Sequence, residues 1–69
     1  MKIRRQGQPT INLEKVEMID SVDEVGPPPS WDIVFNVGGR EYRWRFDDPI
    51  IRDDVYNRIQ NLWGCTDLN

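Results

Sequence analysis

Histidine is absent from this 69-residue sequence, and cysteine occurs once, as Cys65. These absences exclude a His/Cys zinc site, a disulfide scaffold, a Cys-x-x-Cys redox centre and every histidine-based catalytic triad. No apolar run approaches the roughly 20 residues that cross a bilayer as a helix. The N-terminus is basic, but no apolar stretch follows it, so no secretory leader is expected. Cys65 has neither a second thiol to pair with nor a histidine to act as its base, so it reads as a free surface thiol and the expected compartment is the cytoplasm. Internal repeats are also missing. A surplus of positive charge is missing too: the formal net charge is −3, whereas a general nucleic-acid binder is more often basic.

What is present suits one small folded domain. Hydrophobic residues make up 38% of the chain and include three tryptophans, too apolar and aromatic a composition for wholesale disorder. A domain of this length buries only about 60% of the surface its unfolded chain exposes. Without a disulfide or metal, dense aromatic packing or association with another chain must supply the remaining stability. A protein partner or a homodimer is therefore expected. Charge is uneven along the chain. Lys2, Arg4, Arg5 and Lys15 against Glu14 give residues 1–15 a net +3. Glu17, Asp20, Asp23, Glu24 and Asp32 give residues 16–39 a net −5, and residues 40–69 sum to −1. A basic end and an acidic middle can attract within one molecule or head to tail; a solvated mixed surface is the simpler reading.

The pattern predicts strands over 2–6, 11–19, 31–37 and 40–46, a proline-rich loop over 20–30, a helix over 49–63 and a frayed tail at 65–69. In the second strand the apolar phase shifts between Ile11/Leu13 and Val16/Met18, which predicts a bulge near Glu14-Lys15. A short helix over 12–19 is the alternative. Asp20, Ser21, Asp23, Glu24 and Gly26 followed by Pro27-Pro28-Pro29 read as a stiff connector.

The strongest signal lies in residues 31–46. Trp31, Ile33, Phe35 and Val37 alternate with Asp32, Val34 and Asn36. After Gly38-Gly39, Tyr42, Trp44 and Phe46 alternate with Glu41, Arg43 and Arg45. Two glycines between alternating runs form a two-residue turn in which both central residues take positive φ. That turn sets the register: Phe35 opposes Tyr42, Ile33 opposes Trp44, Trp31 opposes Phe46, and Asp32 opposes Arg45 on the other face. The helix follows, capped by Asp47 or Asp48, with Pro49 in its first turn and Gly64 beyond its end. Ile51, Val55, Ile59 and Leu62 form its expected apolar stripe, with Tyr56 and Trp63 beside it. The expected fold is α+β: a small antiparallel sheet of three or four strands with the C-terminal helix packed across one face.

No arrangement rises to an enzyme. Asp47, Asp48, Asp53 and Asp54 do not match a calcium loop and read as capping and dipole compensation. Asp20, Asp23 and Glu24 are a weaker cation possibility. Gly38-Gly39 lacks the lysine and helix start of a phosphate loop. No metal or cofactor is expected. The function read from the sequence is a non-enzymatic interaction or adaptor module, able to self-associate. Its contact residues would come from the sheet face away from the helix, Val34, Arg43 and Arg45, and from exposed strand edges. The alternative is binding of an anion, nucleic acid or lipid headgroup through Arg4, Arg5, Arg43 and Arg45. Strand alternation argues against nucleic acid, because it places the aromatics and the arginines on opposite faces.

Tyr42-Arg43-Trp44-Arg45-Phe46-Asp47-Asp48, followed by Arg52-Asp53, Tyr56 and Ile59, resembles the end of a PH/GRAM-like domain. There a final aromatic strand runs into a helix carrying an Arg-Asp pair and a Trp or Tyr. The resemblance covers residues 40–63. Such domains use more strands than this chain has room for, and their phosphoinositide-binding loops have no counterpart here. The resemblance implies a shortened or dimer-completed relative acting as an adaptor.

Overall fold

A computed structural model describes residues 1–64; Cys65 and the expected frayed tail, 65–69, lie outside the described residues. The hairpin organises the fold. Strand β4 (Ser30–Val37) and strand β5 (Arg40–Phe46) pair antiparallel in the expected register, from Trp31↔Phe46 to Val37↔Arg40. Gly38 and Gly39 take φ of 59° and 81°, a left-handed conformation that costs a residue with a Cβ about 1–2 kcal/mol. Phe35 and Trp44 meet edge to face with ring centroids 5.1 Å apart.

Three further strands precede the hairpin: β1 (Lys2–Ile3), β2 (Ile11–Asn12) and β3 (Val16–Glu24). β3 joins the hairpin in a three-stranded antiparallel sheet ordered β3-β4-β5, while β1 and β2 form a separate two-stranded pair. Helix α1 (Pro49–Trp63) lies over β4 and β5. Its start follows the expected chemistry. The Asp48 carboxylate accepts from the Ile50 and Ile51 N–H groups at 2.8 and 3.5 Å, and Pro49 opens the first turn. Gly64 ends the helix at φ 81°, donating to the carbonyls of Gln60 and Asn61. The core gathers Ile11, Leu13, Val16, Ile19, Ile33, Phe35, Trp44, Phe46 and Ile59. Each such side chain, fully buried, stabilises by roughly 1.5–3 kcal/mol.

The structure corrects the expected pattern in four places. The expected strand 2–6 stops at Ile3, and the chain then turns, with the Gln8 N–H donating to the Arg5 carbonyl at 3.0 Å. The expected strand 11–19 is interrupted by a 3₁₀ turn at Leu13–Lys15, capped by the Asn12 side chain, which accepts from the Glu14 N–H. The bulge is displaced from Glu14-Lys15 to Glu17: Val16 opposes Val37, and the next pair is Met18 with Asn36. Glu17 is the extra residue, and its carboxylate accepts from the Gly38 N–H at 2.8 Å. The bulge buries Val16 and Ile19 together and turns Met18 outward, 54% exposed. The expected loop 20–30 shrinks to 25–29, because β3 continues through Glu24. Its polar residues suit a sheet edge, where solvent reaches the side chains.

The helix stripe is also rotated. Ile51 and Leu62 are 44% and 53% exposed, whereas Arg52 and Ile59 are buried and Val55, Tyr56 and Trp63 pack beside the core. Arg52 sets this rotation by reaching the sheet. Its Nη1 donates to the Val22 and Asp32 carbonyls at 3.3 Å each, its Nη2 meets Asp23 at 2.8 Å, and its Nε meets Asp53 at 2.7 Å.

Candidate functional site

The five residues expected to form a contact surface fall into two places. Val34, Arg43 and Arg45 lie on the outer face of the sheet, away from α1, around Asp32 of the central strand. Asp32 is fully buried despite facing that side. Its Oδ2 accepts from Arg43 Nη1 at 3.0 Å, and the same nitrogen meets Glu24 at 2.7 Å. Arg43 Nη2 also stands 3.8 Å from Glu41. Glu24 first, and then Asp32, hold the Arg43 guanidinium above its ordinary pKa against the opposing effect of burial. Arg43 is thus surrounded by three carboxylates. Arg45 is looser: its Nε lies 3.8 Å from Asp32 Oδ1, and its side chain is 68% exposed. Asp32 Oδ1 accepts no hydrogen bond. Val34 is buried and offers little surface to a partner.

Arg4 and Arg5 lie elsewhere, in the turn between β1 and β2. With Gln6, Gln8 and Thr10 they line an open recess of about 400 Å³. Arg5 stacks on the Phe46 ring with its guanidinium carbon 4.9 Å from the centroid, a cation–π contact worth about 0.5–1 kcal/mol at an exposed site. The four arginines therefore do not converge on one ligand position.

The acidic pairs near the helix are occupied in other ways. Asp48 is the cap, Asp53 pairs with Arg52, and Asp54 meets Arg58 at 3.3 Å one helical turn on. Asp23 and Glu24 pair with Arg52 and Arg43. No helix among the described residues is long and apolar enough to cross a membrane.

The two edges of the main sheet differ. The β5 edge is covered at Arg45 by the N-terminal segment. Gln8 Nε2 donates to the Arg45 carbonyl at 2.7 Å, and Gln8 Oε1 accepts from the Arg45 N–H at 3.2 Å. One carboxamide thus satisfies the backbone of an edge residue as a neighbouring strand would. Trp44 Nε1 donates to the Pro9 carbonyl at 2.7 Å and ties the same segment down.

The β3 edge is open. Among the described residues no other element gives β3 a backbone hydrogen bond on its outer side. The Ser21 N–H donates to the Asp20 carboxylate at 2.9 Å, so it points out of the ladder. Alternation along an antiparallel strand places the backbone groups of Ile19 and Asp23 on the same outer side. β3 carries Glu17, Asp20, Asp23 and Glu24 and no cation. Arg4 and Arg5 belong to the segment at the opposite edge, where Arg5 lies over Phe46, so the charge asymmetry of the sequence becomes an acidic edge and a basic one.

Sequence reasoning missed Gln8 and Arg52. Gln8 leaves no local signal, since its partner is 37 residues away. Arg52 has one: it stands three residues before Val55 and seven before Ile59, in line with the buried face. Compared with known protein families, curated proteins and solved structures, the chain finds no match.

Proposed function

We propose that this chain is a non-enzymatic interaction module of the cytoplasm that receives an extended segment of another chain along β3. The observation that carries this reading is the contrast between the edges. Gln8 covers the backbone of β5 at Arg45, whereas along β3 the outward groups of Ile19, Ser21 and Asp23 meet no backbone partner among the described residues. An unpaired strand edge is a template for strand addition: main-chain hydrogen bonds supply affinity and the flanking side chains supply selectivity. An adaptor role is also what the PH/GRAM-like resemblance implies. Anion binding through Arg4, Arg5, Arg43 and Arg45 has less support. Arg43 is surrounded by Glu24, Asp32 and Glu41, and Arg4 and Arg5 sit apart from it.

The test is a photo-crosslinking amino acid placed at Ser21 in living cells, with the same group at Arg58 on the exposed helix surface as the control. The reading expects a discrete adduct from position 21 and none from position 58. Equal labelling at both positions, or none at 21, contradicts it.

A further inference from the structure

Resting on the reading of β3 as a docking edge, we propose that its occupant is a basic strand of a different protein, with cations four residues apart flanking an apolar residue. The side chains of β3 supply the pattern. On the outer face its row runs Met18, Asp20, Val22, Glu24, set by their pairing with Asn36, Val34, Asp32 and Ser30. A strand added alongside presents every second side chain to that row. Next to Asp20 and Glu24 it gains from Lys or Arg; next to Val22 and Met18 it gains from an apolar side chain. The motif is cation-x-apolar-x-cation-x-apolar, and its spacing holds for either strand direction.

Asp20 is the centre of this row. It is exposed and meets no cation among the described residues, and its carboxylate occupies the Ser21 N–H that an incoming carbonyl would take. A basic side chain beside Asp20 draws that carboxylate away and frees the N–H for the new ladder. Glu24 already pairs with Arg43, yet it is exposed and has a second oxygen to offer.

A second copy of the chain fits this edge poorly. Two-fold pairing of β3 with itself gathers two copies of Glu17, Asp20, Asp23 and Glu24 along one ladder that holds no cation of its own, and like charges brought close across a ladder are destabilising. Head-to-tail pairing fails for another reason. The basic residues Lys2, Arg4 and Arg5 lie on a two-residue strand and a turn, too short to span the motif.

The experiment compares three synthetic peptides of one alternating frame, with Lys, Ser or Glu at the two charged positions. Each is titrated into the whole chain while the amide signals of Ile19, Ser21 and Asp23 are followed by NMR. Two opposite-charge cross-strand pairs make the Lys peptide about tenfold tighter than the Ser peptide at low salt, a gap that closes as salt rises. Asp20→Asn keeps an oxygen for the Ser21 N–H and narrows the gap; Asp20→Lys moves the preference toward the Glu peptide. Equal binding of the Lys and Ser peptides at β3 overturns the basic-strand proposal and leaves the docking edge intact. If no peptide shifts these amides at about 1 mM, both fall. Perturbation confined to other elements overturns the proposal as well.

Discussion

The side chain of Gln8 and the backbone of Arg45 form a closed pair of hydrogen bonds, one donated and one accepted, between a turn near the start of the chain and the outermost strand of the sheet. This pairing covers β5 at Arg45, a cover that β3 lacks among the described residues, and the functional reading depends on that difference. If Gln8 is the cover, Gln8→Ala should cost about 1–2 kcal/mol and release a new edge. Urea unfolding should show the loss, and sedimentation velocity should show concentration-dependent association that the native chain lacks at the same concentration.

Asp32 and Arg45 oppose each other in the ladder, but the geometry weights them differently. Asp32 is buried and bonded to Arg43 at 3.0 Å, so Asp32→Ala should destabilise by about 1–3 kcal/mol. Arg45 stands 3.8 Å away and is mostly exposed, so Arg45→Ala should change stability by less than about 1 kcal/mol. Chemical denaturation of the two variants reads the difference directly. Comparable losses would show that Arg45 contributes to neutralising the buried carboxylate despite its distance.

Arg52 anchors α1 to β3 and β4 through the carbonyls of Val22 and Asp32 and through Asp23. Removing the side chain discards its buried stem as well as its donors, so Arg52→Ala should cost about 2–3 kcal/mol. Arg52→Met keeps the stem and should recover about half of that loss. Thermal unfolding of both variants separates packing from charge; a Met variant as weak as the Ala variant would assign the whole effect to the guanidinium.

The hairpin and the helix were readable because their determinants are local. Gly38-Gly39 sets the pairing of every residue from Trp31 to Phe46, and Asp48, Pro49 and Gly64 mark the helix ends within a few residues of themselves. The candidate site was less readable because its determinants are distant or polar. The stretch Asp20–Glu24 has the composition of a loop and becomes strand because β4 supplies a partner for each of its residues. Arg52 counts as polar in any binary pattern, yet it occupies the buried face. The phase shift after Leu13 did signal an irregularity, but a 3₁₀ turn and a bulge at Glu17 share it, where one bulge near Glu14-Lys15 had been expected.

The pH dependence of stability should lie on the acid side. Arg43 and Arg52 have raised pKa values. Stability linked to them is fully present below the unfolded guanidinium value and is lost only as pH rises through the still higher folded value, far into alkali. Glu14 behaves oppositely. The Met1 ammonium, 2.9 Å away, lowers its pKa below the ordinary 4.5. Its contribution is present above the unfolded value and is lost as pH falls through the folded one. Melting temperatures should therefore be flat near neutrality and fall below about pH 4.5. Glu14→Gln should remove a small part of that fall. A variant with an unchanged acid limb would show that the Met1–Glu14 pair contributes nothing in solution.

The account rests on β3 being an edge that another strand completes. Amide hydrogen exchange at Ile19, Ser21 and Asp23, measured with and without the basic alternating peptide, tests this most directly. The account predicts rapid exchange at Ile19 and Asp23 in the free chain and protection at all three amides when the peptide is bound. Bound peptide that leaves these three amides exchanging as before would contradict it.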